Sequence, residues 1–538
     1  MTLAPRFLVN LWAGLRVARF SRRLRALGRG GAAQQATFTR LMTQLAGTEF
    51  GRAHGITAAT TYAEYRERVP PRNYDYFAPL IARMAAGAEG VLSPGRCPFF
   101  VESAGTTDPV PKLLPVPESM LAHFRQGLRD ALFLYATRAG HGGVFLGRHL
   151  QTGASTALTE EHGSYRTGVD GMLALCLTPW VEANLYAPPA AVARLPAGPA
   201  KTTAIVRAMQ AQDVTLIAGP PANLGKLARA VREAAGGTQP RQTQLAEVWP
   251  NLECALFHGA PLGLHAEALR EALGPTVKFH ELYAAAEGIF AAQDNGSPAG
   301  LRLLTDTGVF FEFLPWAGYS PSRLATAGAV CLPLEKISAG LDYVLVVTTP
   351  AGLCRYVPGD IVRFMSVDPP RLQFVGRTVA QLNAFAEHVT ERDLLETLLT
   401  VCARNGWQLV NFHVAPSSHR IAAGQTMNCH EWWMELHTHT ARTPTANVIG
   451  PQLDAELARR DPKYAAKRQA LDLDAPRVRL VPPGVFAQWA EAQQKSRSAS
   501  QLPHCRSDRQ IADQLAALTH FFDSSGVPFT PVNTRAPF

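Results

Sequence analysis

The 538-residue sequence lacks any uninterrupted apolar run near the ~20 residues that span a bilayer. Its eight cysteines are dispersed and contain no CxxC pair, which argues against a disulfide framework and is typical of thiols in a reducing compartment. The apolar stretch over residues 7–15 is interrupted by Asn10 and has no small-residue cleavage site, so it makes a poor secretory signal. We therefore expect a cytoplasmic protein with no transmembrane segment.

Acidic residues and lysine are missing from the first 48 residues, which contain eight arginines. Because the whole chain carries +9, nearly all of its excess positive charge lies in this segment, and no nucleic-acid partner is expected. The apolar spacing of Leu8, Leu11, Trp12 and Leu15, and of Leu24 and Leu27, predicts an amphipathic helix. An arginine-rich, acid-free start is also typical of a mitochondrial transit peptide, although we favour the helix. One hypothesis is that residues 1–30 dock weakly on an anionic membrane or a partner.

The rest of the chain alternates short strand-like runs with helical patterns from about residue 95. This alternation predicts an α/β fold with a mainly parallel sheet whose faces are covered. After Gly376–Arg377 the pattern becomes α+β, which indicates a second, smaller domain. The predicted strands are 97–102, 214–218, Cys254–His258, 277–282, 309–314, 343–348, 361–364, 409–414 and 432–437; the predicted helices are 118–135, 221–235, Ala266–Leu273, 392–403, 453–460 and 508–521.

The run over residues 99–112 follows the first predicted strand and is dense in small and hydroxyl side chains. Consecutive amides and hydroxyls around a glycine form a donor surface that suits phosphate oxygens. Lys112 adds a flexible cation of the kind that balances the charge of a polyphosphate. The run lacks the GxxxxGK[ST] spacing of the common nucleotide-triphosphate loop, and alone it could be a polar turn.

Four more motifs follow: residues 279–288, 301–315, 356–363 and 374–377. In this order, the small and hydroxyl loop, the aromatic–small–Glu motif, the Gly-Asp turn and the Gly-Arg pair resemble the adenylate-forming enzymes. Specifically, the chain resembles the auxin-responsive promoter family of acyl acid–amido synthetases, as a bacterial-type member, from about residue 48 to about residue 515.

The resemblance implies a large N-terminal adenylate-forming domain over residues 1–378, with β-sheets flanked by helices and a basic helical segment at 1–48. A hinge would join it to a smaller, mobile α+β domain over residues 379–538. The implied activity is an ATP-dependent ligase that adenylates a carboxylic acid and then transfers the acyl group to an amine such as an amino acid. The implied cofactors are ATP and Mg²⁺.

The resemblance also implies roles for individual residues. Tyr283 and Ala284 would border the adenine and α-phosphate, and Glu287 would hold Mg²⁺. Asp360 would accept hydrogen bonds from the ribose hydroxyls, and Arg377 would lie beside the ribose and the hinge. Alternatively, Asp360 only closes a β-turn and Arg377 is a surface cation. The residues that would cradle the ATP phosphates are Ser103, Gly105, Thr106, Thr107 and Lys112.

The acyl pocket is harder to read from the sequence. Arg125 and Arg129 lie at positions i and i+4 of the predicted helix 118–135 and therefore share a face. They could orient a substrate carboxylate, since a guanidinium matches it bidentately, or they could be two solvated arginines.

The chain departs from the family pattern at three places. Pro109 stands for the second glycine of the phosphate loop and removes an N–H donor, and alanines 285 and 286 replace a serine pair. Gln501 stands for a C-terminal lysine that meets the bridging and acyl oxygens during adenylation; such electrostatic contacts are worth roughly 3 kcal/mol. Lys495 is a candidate substitute. The alternative function is therefore a catalytically weakened or non-catalytic nucleotide- or acyl-binding homologue.

Overall fold

The computed structural model describes residues 6–103, 112–234, 244–259, 262–294, 300–324, 330–420, 426–437, 444–494 and 503–525. The chain divides into two compact units, the first ending at Val375 and the second continuing from Gly376 to the C-terminus. Within the described ranges, no helix has the length and apolar character needed to cross a membrane. All eight cysteines lie in these ranges and are buried free thiols.

The first unit opens with a run of helices before its first strand. Local sequence signals set several of their ends. Thr61 forms a capping box with Glu64 at the start of Tyr62–Arg68, and Gly140 closes Glu118–Ala139 with φ 80°. The helices are α1 (Arg6–Leu27), α2 (Gly31–Ala46), α3 (Glu49–Ala53), α4 (Tyr62–Arg68), α5 (Tyr74–Ala85), α6 (Glu118–Ala139), α7 (Val169–Leu175), α8 (Pro179–Asn184), α9 (Ala190–Ala193), α10 (Pro199–Met209), α11 (Pro221–Ala234), α12 (Leu245–Val248) and α13 (Ala266–Leu273), with 3₁₀ turns at Gly143–Leu146, Gly263–His265, Pro321–Arg323 and Leu334–Lys336.

The strands of the first unit form two sheets in the part of the chain that the structure describes. They are β1 (Phe99–Glu102), β2 (Leu113–Val116), β3 (Arg148–Gln151), β4 (Thr159–Glu161), β5 (Ser164–Gly168), β6 (Tyr186–Ala187), β7 (Val214–Gly219), β8 (Cys254–His258), β9 (Lys278–Ala285), β10 (Gly288–Gln293), β11 (Leu301–Leu303), β12 (Phe310–Pro315), β13 (Leu332–Pro333), β14 (Asp342–Thr348), β15 (Asp360–Val367) and β16 (Pro370–Arg377). The smaller sheet has the order β2-β1-β5-β4, and the larger has the order β13-β12-β14-β15-β16-β11-β10-β9-β8-β7-β3-β6.

The larger sheet is parallel in only one part. Strands β6, β3, β7, β8 and β9 pair in parallel, and helices connect them along the chain. From β9 onward, the pairs β9–β10, β10–β11, β11–β16, β12–β14 and β14–β15 are antiparallel. The prediction of a mainly parallel sheet is therefore wrong for the later strands. The reason is that these strands follow one another through turns and loops, which allow antiparallel pairing without a crossover helix.

The predicted elements agree closely with the structure. Strand Cys254–His258 and helix Ala266–Leu273 have the predicted bounds, and the other predicted strands and helices overlap observed ones. The prediction missed several strands, among them β10, whose sequence GIFAAQ is a short apolar run beginning at a glycine. Such a run has no alternation that would separate a buried strand from a helix.

The predicted N-terminal helix is present, and of the apolar positions whose spacing predicts it only Leu24 is buried. Ala13, Phe20 and Leu24 are buried, and the Phe20 ring lies 5.5 Å from that of Phe133 on α6. Arg23 forms ion pairs with Asp130 on α6 and with Asp306. Leu8, Leu11, Trp12 and Leu15 are exposed instead. The buried residues of α1 are thus an alanine, a phenylalanine and a leucine, and the leucines of its N-terminal half face solvent.

The second unit has the predicted α+β character. Its long hairpin pairs β19 (Leu409–Arg420) antiparallel with β20 (Thr426–Leu436), and β21 (Arg477–Leu480) adds to β20 in parallel. A buried cluster in this unit includes Trp433 of the hairpin and Trp489 and Leu515 of two C-terminal helices. The elements are β17 (Gln381–Leu382), β18 (Val389–Thr390), α14 (Glu391–Asn405), β19 (Leu409–Arg420), β20 (Thr426–Leu436), α15 (Ala446–Arg460), α16 (Pro462–Gln469), β21 (Arg477–Leu480), α17 (Val485–Gln494) and α18 (Gln510–Ser525).

Candidate active site

Two of the predicted site residues contact each other in the first unit. The Tyr283 hydroxyl donates a 2.6 Å hydrogen bond to Oδ2 of Asp360, and both side chains are buried. Tyr283 lies near the end of β9, and Asp360 is the first residue of β15, directly after Gly359 with φ 94°. The Tyr283 ring also packs against Phe374 at 5.8 Å between centroids. Strand ends from three motifs therefore meet here.

Glu287 lies at the tip of a tight hairpin. Residues Ala286 and Glu287 form the two-residue turn between β9 and β10, in which Ala285 faces Gly288. The Tyr356 hydroxyl donates a 3.1 Å hydrogen bond to Oε1 of Glu287. Burial raises the pKa of Glu287, and the negative charge of Asp360 raises it further, while Lys112 opposes both. The carboxylates of Glu287 and Asp360 thus share one electrostatic environment.

His123 supports this hairpin from helix α6. Its Nδ1 donates to the Thr307 carbonyl at 2.8 Å, and its Nε2 accepts from the Ile289 amide at 2.9 Å. A carbonyl only accepts and an amide N–H only donates, so the ring is neutral with the proton on Nδ1. Burial lowers the pKa of His123 to about 4, in keeping with this form. A Cβ at Gly288 would lie only 2.9 Å from His123 Nε2, so the turn after Glu287 has no space for a side chain.

A buried ion pair supports the segment that leads to Asp360. Arg355 donates from Nε to Oε2 of Glu312 at 2.9 Å, and from Nη1 to the Val69 carbonyl at 2.8 Å. Arg355 has φ 46°, a left-handed conformation that costs energy for a residue with a side chain. The hydroxyl of Tyr62 donates to the other oxygen of Glu312. These contacts hold the backbone just before Tyr356 in place.

The structure describes both ends of the predicted phosphate loop, Ser103 and Lys112. Ser103 N–H donates to the Lys112 carbonyl at 2.8 Å, and Lys112 N–H donates to Ser103 Oγ at 3.0 Å. The Lys112 ammonium lies 5.6 Å from the centre of the Tyr74 ring. Gly105, Thr106, Thr107 and Pro109 lie outside the described residues. The two ends of the loop are therefore tied together beside β1 and β2.

The remaining predicted residues are distributed as follows. Arg125 pairs with Glu118 at 2.6 Å and Arg129 lies 3.5 Å from Asp130; Arg125 is half-buried and Arg129 is exposed, with 39% and 55% of their side-chain surface accessible. Ala284 lies in β9. Arg377 belongs to the second unit. Lys495 and Gln501 lie outside the described residues, so their roles stay predictions.

The second unit holds the segment that follows Gln501 in the sequence. His504 Nδ1 lies 2.6 Å from Oε1 of Glu391, and the His504 ring stacks on Phe412 at 4.6 Å. Burial favours the protonated form of Glu391, but its bonds with His504 outweigh burial and lower its pKa. Arg509 pairs with Glu431 at 2.8 Å. The backbone that begins at Pro503, two residues after Gln501, is thus tightly held.

Three residues of the site were not predicted to act in it. Tyr356 opens the motif that contains Asp360, and its aromatic ring with a hydroxyl was the available signal. Tyr74 lies on a helix far from any motif, and His123 lies on the predicted helix 118–135 near Arg125, but no spacing in the sequence links either residue to the site. In the part of the chain that the structure describes, no group of three or more His, Cys, Asp and Glu side chains could hold a metal ion.

Three consecutive family models match the chain: the GH3 family N-terminal domain at residues 23–175, the central domain at 302–377 and the C-terminal domain at 392–510. The chain belongs to the GH3 family. The resemblance to acyl acid–amido synthetases that the sequence motifs carry is therefore confirmed.

Curated relatives of this GH3 chain include two rice proteins. The putative indole-3-acetic acid-amido synthetase GH3.10 of Oryza sativa subsp. japonica is 24% identical over 68% of this chain and 81% of its own length. The indole-3-acetic acid-amido synthetase GH3.8 of Oryza sativa subsp. indica is 25% identical over 68% of this chain and 69% of its own.

Solved structures share the fold of this GH3 chain. The acyl acid amido synthetase AtGH3.15 in complex with 2,4-DB superposes with a TM-score of 0.71 at 17% identity, covering 93% of this chain and 96% of that one. A 2-hydroxyisobutyryl-CoA ligase in complex with an acyl-AMP superposes with a TM-score of 0.54 at 14% identity, covering 92% and 91%. The predicted fold class, that of adenylate-forming enzymes, is confirmed.

Proposed function

We propose that this GH3 chain is an ATP-dependent acyl acid–amido synthetase. It would adenylate a carboxylic acid, release pyrophosphate, and transfer the acyl group to an amine such as that of an amino acid. The observation that carries the proposal is the hydrogen bond between Tyr283 and Asp360. These residues come from separate motifs, and the bond supports a shared role for both motifs at one nucleotide.

Asp360 is the proposed ribose ligand. A carboxylate with two oxygens accepts well from two vicinal hydroxyls, and the hydrogen bond from Tyr283 fixes its orientation. The ring of Tyr283, with Ala284 after it, would border the adenine and the α-phosphate. A residue that only closed a surface turn would not need a buried tyrosine as partner, which supports the functional role of Asp360.

Glu287 is the proposed Mg²⁺ ligand. Burial and the neighbouring Asp360 raise the pKa of Glu287, so the pocket has an excess of negative charge that a cation would relieve. Mg²⁺ is usually held by one or two carboxylates together with substrate phosphates, which suits a single glutamate at the hairpin tip. When bound, the ion would neutralise charge on the phosphates. Tyr356 would hold the orientation of Glu287.

The loop between Ser103 and Lys112 is the proposed phosphate cradle, with Gly105, Thr106 and Thr107 as donors. The two hydrogen bonds between Ser103 and Lys112 at its ends would keep these donors directed to one place. Lys112 would supply a cation near the phosphates, since its charge already acts on Glu287. Arg377 would lie beside the ribose, and Arg125 with Arg129 would orient the acyl carboxylate after leaving their present ion pairs.

A second candidate function is a weakened or non-catalytic homologue that binds the nucleotide or the acyl group. Gln501 favours it, because a neutral amide stands where the family has a charged lysine. Lys495 would have to supply the missing charge in a fully active enzyme. The substitution Gln501→Lys separates the two functions, since it restores adenylation only if the rest of the site is competent.

The test is ATP–pyrophosphate exchange with a panel of aryl, aliphatic and indole carboxylic acids, followed by amide detection with a mixture of amino acids. The proposal expects exchange that depends on one class of acid and a new amide with at least one amino acid. Bound ATP without exchange for any acid, in both the wild type and Gln501→Lys, would contradict it.

A further inference from the structure

Helix α1 presents a contiguous apolar face to solvent. Phe7, Leu11 and Leu15 expose 69%, 61% and 59% of their surface, and Leu8 and Trp12 are also exposed. The spacing of these five residues, at i, i+1, i+4, i+5 and i+8, places them on one side of the helix. Large apolar side chains exposed singly are ordinary, but a contiguous patch marks a surface that binds something.

The opposite face of α1 fixes the helix to the protein. Ala13, Phe20 and Leu24 are buried, and Arg23 pairs with Asp130 on α6. The exposed apolar face is therefore not the face by which α1 packs against the rest of the protein. It is a second apolar face on a helix that is already docked.

Arginines continue the exposed face toward the C-terminal end of the helix. Arg16, Arg19, Arg22 and Arg25 are exposed, and within the described ranges no carboxylate pairs with any of them. The helix contains no acidic residue. The Arg16 guanidinium lies 5.8 Å from the centre of the Trp12 ring, at the border between the apolar and basic parts.

A second element extends the apolar part. Trp180 on α8 is 47% exposed, and its ring centre lies 6.4 Å from that of Trp12. Trp12 also contacts Phe145 edge-on at 5.9 Å. The surface thus has leucines and a phenylalanine, then two tryptophans, then arginines. The name α1 surface is used for Trp180 together with the exposed residues of α1: Phe7, Leu8, Leu11, Trp12, Leu15, Arg16, Arg19, Arg22 and Arg25.

The chemistry of the α1 surface favours an anionic lipid bilayer over other occupants. Leucine and phenylalanine suit acyl chains, tryptophan prefers the membrane interface, and arginine suits lipid phosphates. A second copy would bring two arginine-rich, acid-free helices together, which like charges oppose. Nucleic acid would use the arginines but would leave the aliphatic half without a partner. The GH3 N-terminal model begins at residue 23, so most of this surface lies outside the family match.

We propose that the α1 surface binds the surface of an anionic membrane, with Phe7, Leu8, Leu11 and Leu15 inserted among the acyl chains and the arginines at the lipid phosphates. The helix lies in the interface and does not span the bilayer. Docking by this surface is independent of the proposed ligase activity, because no residue of the candidate active site belongs to it.

The test is co-sedimentation of the full-length protein with vesicles of phosphatidylglycerol and phosphatidylcholine, and with vesicles of phosphatidylcholine alone. The first variant, Leu11→Ser/Leu15→Ser, removes apolar surface without changing charge. The second, Arg16→Gln/Arg19→Gln/Arg22→Gln, removes charge and keeps the leucines. The matched controls are Leu195→Ser/Leu341→Ser, whose leucines are 37% and 55% exposed elsewhere in the first unit, and Arg194→Gln/Arg207→Gln/Arg229→Gln.

The wild type and both controls are expected to bind anionic vesicles at least about tenfold more tightly than neutral ones, and both α1 variants to lose about tenfold or more. All variants change exposed side chains, so unchanged melting temperatures will show that they fold. Equal binding of wild type and Leu11→Ser/Leu15→Ser would overturn the proposal. So would the absence of vesicle binding together with a dimer, seen by sedimentation velocity, that the same variant dissociates.

Discussion

The Tyr283 hydroxyl donates a 2.6 Å hydrogen bond to Asp360, which lies 77 residues further along the chain. The bond joins the end of β9 to the start of β15. Glu287 lies four residues after Tyr283 and is influenced by the charge of Asp360. This one contact therefore connects the proposed adenine, ribose and Mg²⁺ contacts, and it is the point at which substitutions are most informative.

Tyr283→Phe should weaken ATP binding without unfolding the protein. The substitution removes only the hydroxyl, so Asp360 loses a hydrogen bond of the kind worth about 1.5–3 kcal/mol to a charged group, and the KM for ATP should rise about tenfold or more. The matched control is Tyr135→Phe, which removes the hydroxyl of another buried tyrosine and its partly buried 2.8 Å hydrogen bond to the Glu253 carbonyl. Steady-state exchange kinetics measure both. An equal rise in KM for the control would show a general loss of stability instead.

Glu287→Gln should stabilise the protein at neutral pH. Burial and Asp360 raise the pKa of Glu287 above its ordinary value of 4.5, so the folded chain binds this proton more tightly than the unfolded chain. The unfolding free energy of the wild type therefore contains a contribution that is present below pH 4.5 and is lost as pH rises through the raised pKa. Glutamine does not ionise, so the variant should be more stable above that range and equal to the wild type below it.

Urea unfolding across pH measures this difference. Glu64→Gln is a control whose stability should change in the opposite direction, because hydrogen bonds from Thr61 lower the pKa of the exposed Glu64. Its stabilising contribution is present above pH 4.5, so this variant should lose stability at neutral pH. A loss of stability at neutral pH in Glu287→Gln would show that the charge of Glu287 is favourable without a bound cation.

Gly288→Ala should impair adenylation more than it impairs folding. The new Cβ would approach His123 Nε2 and the Phe290 ring at 2.9 Å, so the Glu287 turn must move. A displacement of about 1 Å at a reacting site can cost about a hundredfold in rate. Gly318→Ala is the matched control, since Gly318 also has a positive φ of 89° but no atom within 4 Å of the added Cβ. Equal exchange rates in the two variants would contradict the role of the turn.

Arg355→Met should strongly destabilise the first unit. It leaves Glu312 buried without its cation, and breaking a buried pair in this way typically costs about 3–5 kcal/mol. Adding Glu312→Leu should restore much of the loss. Arg363→Met, which breaks the partly exposed pair with Asp342, should cost less than about 1 kcal/mol. Chemical denaturation of the four proteins measures this order, and a mild effect of Arg355→Met alone would contradict it.

Local patterns predicted most of the fold. The strands Val214–Gly219 and Cys254–His258 are almost fully buried. They could be predicted because each is an apolar run that contains β-branched or aromatic residues and is bounded by turn signals. The pairing direction of the later strands could not be predicted, because it depends on which strands the loops bring together. The inward face of α1 could be predicted only at Leu24, because the helix has two apolar faces and the contact of Phe20 with Phe133 on α6 is a long-range one.

The site residues that lie in the motifs were predicted from the sequence. Tyr283, Glu287 and Asp360 were named from the order of motifs in the sequence. Tyr356 and His123 were not, because their roles depend on long-range contacts. The Tyr356 hydroxyl donates to Glu287, and the His123 ring lies between the Thr307 carbonyl and the Ile289 amide. Those residues orient groups in the site, and no local spacing marks them.

The most direct test of the central claim is ATP–pyrophosphate exchange by wild type, Gln501→Lys and Glu287→Gln with the same acid panel. The account predicts acid-dependent exchange in the wild type, faster exchange by up to about a hundredfold in Gln501→Lys, and its loss in Glu287→Gln. A wild type and a Gln501→Lys variant that both bind ATP but exchange with no acid would contradict it. So would a Glu287→Gln variant that exchanges as fast as the wild type.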